Sequence, residues 1–435
     1  MLGTSIWKKR IKSFAIIFLA LSLVVACYVT VFSAPEEYGD VDKFKDAKTA
    51  IEVMYLLKNS YYKPIGIGSL IAKYISTGTI NGMLEVLGED DPYTRYMENK
   101  EYDRLREDND GVFGGVGIVI GMRNSSVTVI NPINDTPAMR AGIQSGDKII
   151  KVDDESTKDA YLDYVSSLLR GEPGTTVRVT VDSFGEIKEY EIVREVINSP
   201  ATRRYMYDDK IGYIELSTFS KQAAHDMMAD INYLLDQGME ALILDLRFNG
   251  GGLVDQAIEL ASMFIPAGPV MHVKPRSGNV ITYNTVSNRV LDIPMVVIVN
   301  EYTASASEIL AGALQDTGVA TIVGMPSFGK GLVQSIFSLS DGSGMAVTSQ
   351  IYLTAGMREI THETPIVPDI EIQVEEVTEE QLLAREQRIK EQEESGIRLS
   401  AEDMIKIDIT LDSQMRTAVE LLWEQLSSSE LEDAA

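Results

Sequence analysis

Ser305 is the residue whose type and position most directly suggest chemistry. It follows the apolar stretch Pro294–Val299 and begins a helical pattern that continues to Gln315. A serine at a strand-to-helix junction projects its hydroxyl from a sharp turn, and the N–H groups of the helix N-terminus stabilise negative charge beside it. These features suit the nucleophile and the oxyanion of an acyl-transfer reaction. Serine is also a common helix cap, so this segment alone leaves simple capping open.

Lys330 is the second candidate, because it lies between Gly329 and Gly331 with little local side-chain cover. A lysine acts as a general base only when neutral, so its pKa must fall from about 10.4 toward about 7–8 through burial or a positive neighbour. The segment also fits the G-x-x-x-x-G-K part of a phosphate loop. That motif then fails, because Gly331 stands where it needs Ser or Thr and a strand pattern follows where it needs a helix. A solvated turn lysine is the remaining alternative.

A glycine-rich loop follows the buried strand pattern of Ala241–Leu246. Gly250, Gly251 and Gly252 allow the backbone to approach another group closely. The N–H of Gly251 would then provide part of an oxyanion hole. The alternative is a flexible loop between a strand and a helix.

The elements that must position these residues belong to regions with different sequence patterns. Residues from about 111 to 196 alternate short strand patterns with glycine turns, which predicts a compact domain. Residues 205–370 alternate strand and helix patterns, which predicts an α/β layer with largely parallel strands. Residues 42–106 have a helical pattern. The acidic segment from 371 onward contains a solvated helical pattern at 379–394.

Composition excludes several classes of protein. The 435 residues carry 39 basic and 65 acidic side chains, a net charge of −26, which disfavours nucleic-acid binding. The single cysteine, Cys27, rules out a disulfide within the chain. The three histidines, His225, His272 and His362, include no pair at metal-ligand spacing. The sequence therefore predicts no metal site and no cofactor.

Residues 1–34 are typical of a targeting segment. Basic residues within Lys8–Lys12 precede an uncharged run from Ser13 to Ser33, which as a helix would span about 30 Å, one hydrocarbon core. This arrangement predicts a cytoplasmic N-terminus with the remaining domains outside the cytoplasm. Three interpretations stay open: a retained membrane anchor, a signal peptide cleaved near Ser33, and a lipoprotein signal at Cys27.

Together these segments resemble the C-terminal processing (tail-specific) serine peptidases. The resemblance runs from about residue 50 to 370, and its motifs fall in the family's order. They are Gly82–Leu84 with Asp91–Tyr93, Thr136–Asp147, the Asp245–Gly252 strand and loop, the Ser305 segment, Gly329–Gly331 with Gln334, and Pro368–Ile370. The resemblance implies a mixed α/β fold, with a ClpP/crotonase-like α/β protease core, an inserted PDZ domain and an N-terminal helical region.

The resulting domain boundaries cover the whole chain. They are 1–34 for the anchor or signal, 42–108 for the helical region, 110–196 for the PDZ domain, 200–370 for the protease core and 371–435 for an acidic C-terminal region. The amphipathic pattern at 411–426 suits packing on the protease body or on a partner. The resemblance and this pattern together lead us to expect a homodimer.

The resemblance also implies a role for each matching residue of the core. Ser305 would be the nucleophile, Lys330 the base of a Ser–Lys dyad, and Gln334 the residue that orients the lysine. The backbone N–H groups of Gly251 and Ala306 would be the oxyanion donors.

In the implied PDZ domain, one segment resembles the loop that binds a terminal carboxylate. It consists of Gly114, Gly115, Val116, Gly117 and Ile118. Such a loop takes a substrate's C-terminus by strand addition, with backbone amides on the carboxylate. Arg170, just before a glycine-proline turn, is the candidate for a contact between the PDZ domain and the core.

A few positions differ from the family pattern. Gly250 stands where the family usually has proline, and Tyr352–Gly356 and Thr361–Thr364 are atypical. These differences bear on substrate preference. The sequence therefore predicts an extracytoplasmic, membrane-anchored serine endopeptidase that acts on polypeptides with exposed apolar C-termini. The alternative is a catalytically silent, membrane-tethered PDZ scaffold, which would have no need of the serine, lysine and glycine segments together.

Overall fold

The computed structural model describes residues 44–88, 91–123, 126–133, 135–183, 185–207, 209–287, 289–374 and 411–433, together with residues 381, 384 and 387. The predicted anchor or signal, 1–34, lies outside these residues, as does nearly all of the predicted solvated helix at 379–394. Within the described ranges, no helix has both the length and the apolar character needed to cross a bilayer.

The N-terminal region is mainly helical. Its elements are α1 (Ala47–Ser60), α2 (Ile67–Thr77), α3 (Ile80–Leu84), β1 (Arg95–Met97) and α4 (Asn99–Asp110). Helices α1 and α2 bury an apolar stripe that includes Val53, Leu57 and Leu70 against Met345 and Val347. The helical pattern of the sequence did not reveal β1, which pairs with a strand of the α/β region described below and ties the two parts of the chain together.

The following residues form a β-rich domain. Its elements are β2 (Val112–Gly115), β3 (Ile118–Arg123), β4 (Ser126–Pro132), α5 (Pro137–Ala141), β5 (Lys148–Val152), β6 (Glu155–Ser156), α6 (Leu162–Leu169), β7 (Thr176–Ser183), β8 (Glu186–Val193) and β9 (Glu195–Asn198). An antiparallel sheet has the order β3-β4-β5-β7-β8, and β2 pairs separately with β9. Val177, Val179 and Val181 alternate inward and pack with Val165 and Leu169 of α6, as period-two patterning requires.

The third, α/β region combines a parallel sheet, a second sheet and helices. Its elements are β10 (Thr202–Tyr207), β11 (Ile211–Leu216), α7 (Ala223–Asp236), β12 (Ala241–Asp245), α8 (Val254–Phe264), β13 (Pro269–Pro275), β14 (Ile281–Asn284), β15 (Met295–Val299), α9 (Ala306–Asp316), β16 (Thr321–Gly324), β17 (Leu332–Ser338), β18 (Gly344–Thr354), β19 (Ile370–Glu371) and α10 (Ser413–Asp433). The main sheet has the order β10-β11-β12-β15-β16-β19, parallel throughout except for β10. The predicted mixed α/β fold is confirmed.

Both faces of the main sheet are covered, which explains its continuous apolar strands. Along β12, Leu242 and Leu244 pack with α7, α8 and α9, whereas Ala241 and Ile243 pack with α10. The apolar face of α10 consists of Met415, Ala418, Val419, Leu422 and Leu426. Of the two possibilities left by the amphipathic pattern, packing on the protease body is the one that the structure shows.

The second sheet lies beside the candidate site. It has the order β1-β18-β13-β14, with β17 also paired to β18. Lys330 precedes β17, whereas Gly251 and Ser305 follow β12 and β15 at the carboxyl edge of the parallel sheet. Loops at the carboxyl ends of parallel strands are the usual place for a functional site in an open α/β sheet.

Candidate active site

Ser305 is held in a strained backbone conformation at the start of α9. Its φ is 57° and its ψ −115°, a positive φ that non-glycine residues rarely adopt. The turn before it is fastened to the glycine loop, because Ala304 N–H donates to Asn249 O at 3.0 Å and Thr303 Oγ1 donates to Leu246 O at 2.8 Å. The turn therefore presents the Ser305 side chain in a fixed direction.

Lys330 lies in a turn that requires glycine on both sides. Gly329 has a φ of 84°, and a Cβ at Gly331 would come within 1.8 Å of Ile360 O. Lys330 Nζ donates to Gln334 Oε1 at 3.4 Å and lies 4.8 Å from the centre of the Tyr93 ring. The predicted lysine and glutamine are therefore neighbours.

The pKa of Lys330 is lowered from its ordinary value. Burial is the main cause, because it disfavours the charged ammonium, and the positive charge of Arg95 acts in the same direction. The carboxylates of Glu308 and Asp91 oppose this shift. A lysine with a depressed pKa in a partly buried site is better suited to act as a base than an exposed one.

Ser305 and Lys330 line one cavity of about 700 Å³, here called the dyad cavity. Gly251 and Gln334 line it as well, so four of the five predicted core site residues meet there. Among the hydrogen bonds of the described residues, none joins the Ser305 hydroxyl to Lys330 Nζ. The lysine instead contacts Gln334 and the Tyr93 ring.

Glu308, which the sequence reasoning missed as a site residue, connects the serine turn to the lysine turn. Its side chain is fully buried, and its two carboxylate oxygens accept four hydrogen bonds. Oε2 accepts from Ser305 N–H at 2.8 Å and Lys330 N–H at 2.9 Å, whereas Oε1 accepts from Gly329 N–H at 2.7 Å and from the Ser327 hydroxyl. Burial raises the pKa of Glu308, and these donors hold it down in part.

The two predicted oxyanion donors lie on segments that pack closely together, but their N–H groups differ in their hydrogen bonding. A Cβ built on Gly251 would lie 2.8 Å from Ala306 N and 2.9 Å from Ser305 Cβ, so the glycine loop abuts the serine turn. Ala306 N–H, at the first helical position, has no acceptor among the described residues. Gly251 N–H, in contrast, donates to Asn249 Oδ1 at 2.9 Å. Of the two predicted oxyanion donors, Gly251 N–H is therefore already engaged with a side chain in this structure.

A second cavity, of about 260 Å³, lies between β3 and α6 in the domain predicted as PDZ. Val116, Gly117 and Ile118 line it, as the predicted carboxylate-binding loop requires. Gly114 and Gly115 do not line it, because they belong to β2 and pair with β9. The predicted binding segment is thus divided between a pairing strand and the cavity wall.

Arg170 connects this groove to the N-terminal region. It lines the groove, its guanidinium lies 4.3 Å from the centre of the Phe113 ring, and it donates to Asp108 Oδ1 at 2.9 Å. Asp108 is in α4 and also lines the dyad cavity. The predicted contact of Arg170 with the core therefore reaches the border of the dyad cavity through α4, and not through residues 200–370 directly.

Some of the missed residues left a signal in the sequence. Ser305 and Glu308 form the S-x-x-E spacing of a capping box, in which the acidic side chain reaches back to the cap N–H. Asn249 and Tyr93 lie within motifs that the sequence analysis named, but their roles in the site were not predicted, because their contacts join distant segments. Among the described residues, no group of three histidine, cysteine, aspartate or glutamate side chains is placed to hold a metal ion.

Comparison with known proteins agrees with this arrangement. The family model for peptidase family S41 matches residues 210–372, and the PDZ domain model matches residues 114–193. A carboxyl-terminal-processing protease of Picosynechococcus is 38% identical over 302 residues, which cover 67% of this chain and 71% of that protein. A carboxy-terminal-processing protease of Bartonella bacilliformis is 34% identical over 375 residues, which cover 84% of this chain and 83% of that protein.

A solved structure is similar as well. The photosystem II D1 C-terminal processing protease superposes with a TM-score of 0.50 and 29% sequence identity, covering 77% of this chain and 95% of that chain. The family that the sequence motifs indicated is confirmed. The chain belongs to peptidase family S41, among the carboxyl-terminal-processing serine proteases.

Proposed function

We propose that the protein is an extracytoplasmic endopeptidase that captures polypeptides by their C-termini and cleaves them with a Ser305–Lys330 dyad. The observation that carries the proposal is that both residues line the dyad cavity while one buried carboxylate, Glu308, holds both of their backbone N–H groups. A serine on a strained turn and a lysine with a lowered pKa supply the two roles that acyl transfer needs.

The reaction divides into acylation and deacylation. Neutral Lys330 takes the proton from the Ser305 hydroxyl as Oγ forms a bond to the peptide carbonyl carbon, and the resulting ammonium gives that proton to the departing amine as the C–N bond breaks. Water then adds to the ester with Lys330 again as base, and Oγ leaves with the proton. Gln334 accepts from Lys330 Nζ and so orients it.

The developing oxyanion needs donors beside Ser305. Ala306 N–H has no acceptor in the part of the chain that the structure describes and lies at a helix N-terminus, where negative charge is stabilised. Gly251 N–H becomes the second donor once the peptide carbonyl replaces Asn249 Oδ1 as its acceptor. The contact between Gly251 and the serine turn supports this assignment.

Substrate capture is assigned to the groove between β3 and α6. Its wall includes Val116, Leu162 and Leu169, which favour an apolar C-terminal side chain. The groove borders β3, an edge strand of its sheet, which a peptide extends by pairing. The basic and apolar run in residues 1–34 supports a single-pass anchor with the enzyme outside the cytoplasm, and homodimerisation through surfaces of the C-terminal region completes the proposal.

The test uses the purified full-length protein and a loosely folded substrate with an apolar C-terminus. Ser305→Ala and Lys330→Ala should each abolish cleavage, and Lys330→Arg should do the same, because a guanidinium cannot serve as a base. The exposed pair Ser427→Ala and Lys100→Arg are matched controls and should cleave normally. A substrate ending in two aspartates should be cleaved more slowly.

Two outcomes would contradict the proposal. Normal turnover by Lys330→Arg would exclude lysine as the base. Tight peptide binding by the wild-type protein without any cleavage would favour the silent PDZ scaffold instead.

A further inference from the structure

The sequence motif Asp91–Tyr93 is not used by the reaction described above, yet it lies beside the catalytic lysine. Asp91 is buried, and its carboxylate accepts from Thr94 N–H and from the hydroxyls of Thr94 and Thr348. The last of these residues is in β18, so the turn is fixed to the second sheet. Tyr93 is thereby held in one place by its neighbours.

Tyr93 contacts the lysine through two different groups. The centre of its ring lies 4.8 Å from Lys330 Nζ, within the range of a cation–π contact. Its carbonyl oxygen accepts from Gln334 Nε2 at 2.6 Å, and the other end of the same amide, Oε1, lies 3.4 Å from Lys330 Nζ. The carbonyl therefore decides which way the glutamine amide faces.

We propose, on the basis of the Ser–Lys reaction set out above, that Tyr93 is a positioning residue that holds the Lys330 ammonium with its ring and orients Gln334 with its carbonyl. The N-terminal region thus contributes to the catalytic centre. A ring attracts only the charged form of lysine, so Tyr93 stabilises the ammonium and raises the proton affinity of the base. On losing its proton, the lysine is no longer attracted to the ring and is free to turn toward Ser305.

The other charges that face Lys330 come from three elements. Arg95 on β1 favours the neutral amine, whereas Glu308 on α9 and Asp91 in the turn before β1 favour the ammonium. Tyr93 and Arg95 therefore act in opposite directions although they are two residues apart. Substitutions of Tyr93 and of Arg95 should therefore shift the pKa of Lys330 in opposite directions, whereas a general disturbance of the segment would not.

The tyrosine hydroxyl contributes little to this role. Its contact is with His362 Nε2 at 3.4 Å, at the long end of the hydrogen-bond range, and His362 Nδ1 is already committed to Phe328 O at 2.7 Å. Phenylalanine at position 93 should therefore keep the positioning role of tyrosine, whereas leucine should lose it.

The test measures kcat/KM against pH, whose acid limb reports the pKa of Lys330 in the free enzyme. Tyr93→Phe should leave the limb in place. Tyr93→Leu should move it to lower pH by about 0.5–1 unit, because the ring no longer stabilises the ammonium, and should lower kcat by about tenfold. Arg95→Gln should move the limb to higher pH.

A second series covers the case in which Tyr93→Leu does not fold. Phenylalanine analogues with one, two or three ring fluorines at position 93 weaken the negative face of the ring without removing its bulk. Each added fluorine should lower the midpoint of the limb. A midpoint that is the same for all ring variants would overturn the inference while Ser305→Ala and Lys330→Ala remained inactive. Activity in those two variants would instead overturn the proposed reaction itself.

Discussion

Glu308→Gln is the substitution that examines the link between the serine turn and the lysine turn. Glutamine has the same shape, but its amide has one oxygen that accepts and one NH2 group that donates. The favourable orientation keeps the oxygen toward the N–H groups of Ser305 and Lys330. The NH2 group then faces Ser327, whose hydroxyl can rotate to accept, and Gly329 N–H, which loses its acceptor.

The magnitude follows from that one lost acceptor. A buried N–H without a partner costs about 1–3 kcal/mol. If this penalty is relieved by a shift of the lysine turn and is expressed at the transition state, kcat falls by roughly 5- to 150-fold, at about 1.36 kcal/mol per factor of ten. KM should change little, since Glu308 is fully buried and does not line the dyad cavity.

The pH dependence gives the variant a second signature. The negative charge of Glu308 raises the pKa of Lys330, so removing that charge lowers it. The acid limb of the kcat/KM profile should therefore move to lower pH, although the rate at its plateau falls. A substitution that merely loosened the fold would lower the plateau without this shift.

The assay is steady-state cleavage of an internally quenched peptide across a range of pH. Glu301→Gln is the matched control, because Glu301 is exposed and lies four residues before Ser305. It should leave both the plateau and the limb unchanged. A Glu308→Gln enzyme with an unshifted limb and the wild-type kcat would refute the argument that this carboxylate couples the two turns.

Two further predictions concern the glycine loop and α10. Gly251→Ala should lower kcat at least 100-fold, because its Cβ would lie 2.7 Å from Ala304 O. Peptide binding, measured by fluorescence anisotropy, should be unchanged. The control is Gly278→Ala, since Gly278 also has a positive φ but a Cβ there would meet no atom within 4 Å. Deleting residues 411–433 should abolish cooperative thermal unfolding, because burial of its apolar face contributes roughly 8–15 kcal/mol, about the whole stability of a domain. A truncated chain that melts normally would mean that the helix serves mainly a partner.

Much of the fold follows from local pattern. The strands at Ala241–Asp245 and Met295–Val299 are buried at every position, and apolar at all but Asp245, because helices cover both faces of the sheet. The helix at Ala306–Asp316 begins one residue after Ser305, as its capping pattern indicates. Such features depend on neighbours in the sequence, and the sequence was sufficient to place them.

The sequence did not reveal two kinds of contact: those that join distant segments, and those in which two acceptors compete for the same N–H group. Tyr93 and Lys330 are far apart in the chain and meet only because β1 pairs with β18. Gly251 N–H had two possible acceptors, a future oxyanion and the side chain of Asn249, and sequence alone gives no basis for choosing. The amphipathic pattern near the C-terminus specified an apolar face but not the surface that covers it.

The packing of α10 has a consequence for the timing of activity during synthesis. The helix covers the sheet face that includes Ile243 and Ile298. Asp412 beside it pairs at 2.7 Å with Arg247, which lies three residues before Gly250 of the glycine loop. A ribosome completes Ser305 and Lys330 well before it reaches this helix. The nascent chain therefore carries the proposed dyad on an unfinished core, and cleavage by that dyad would require the later residues to have emerged and docked.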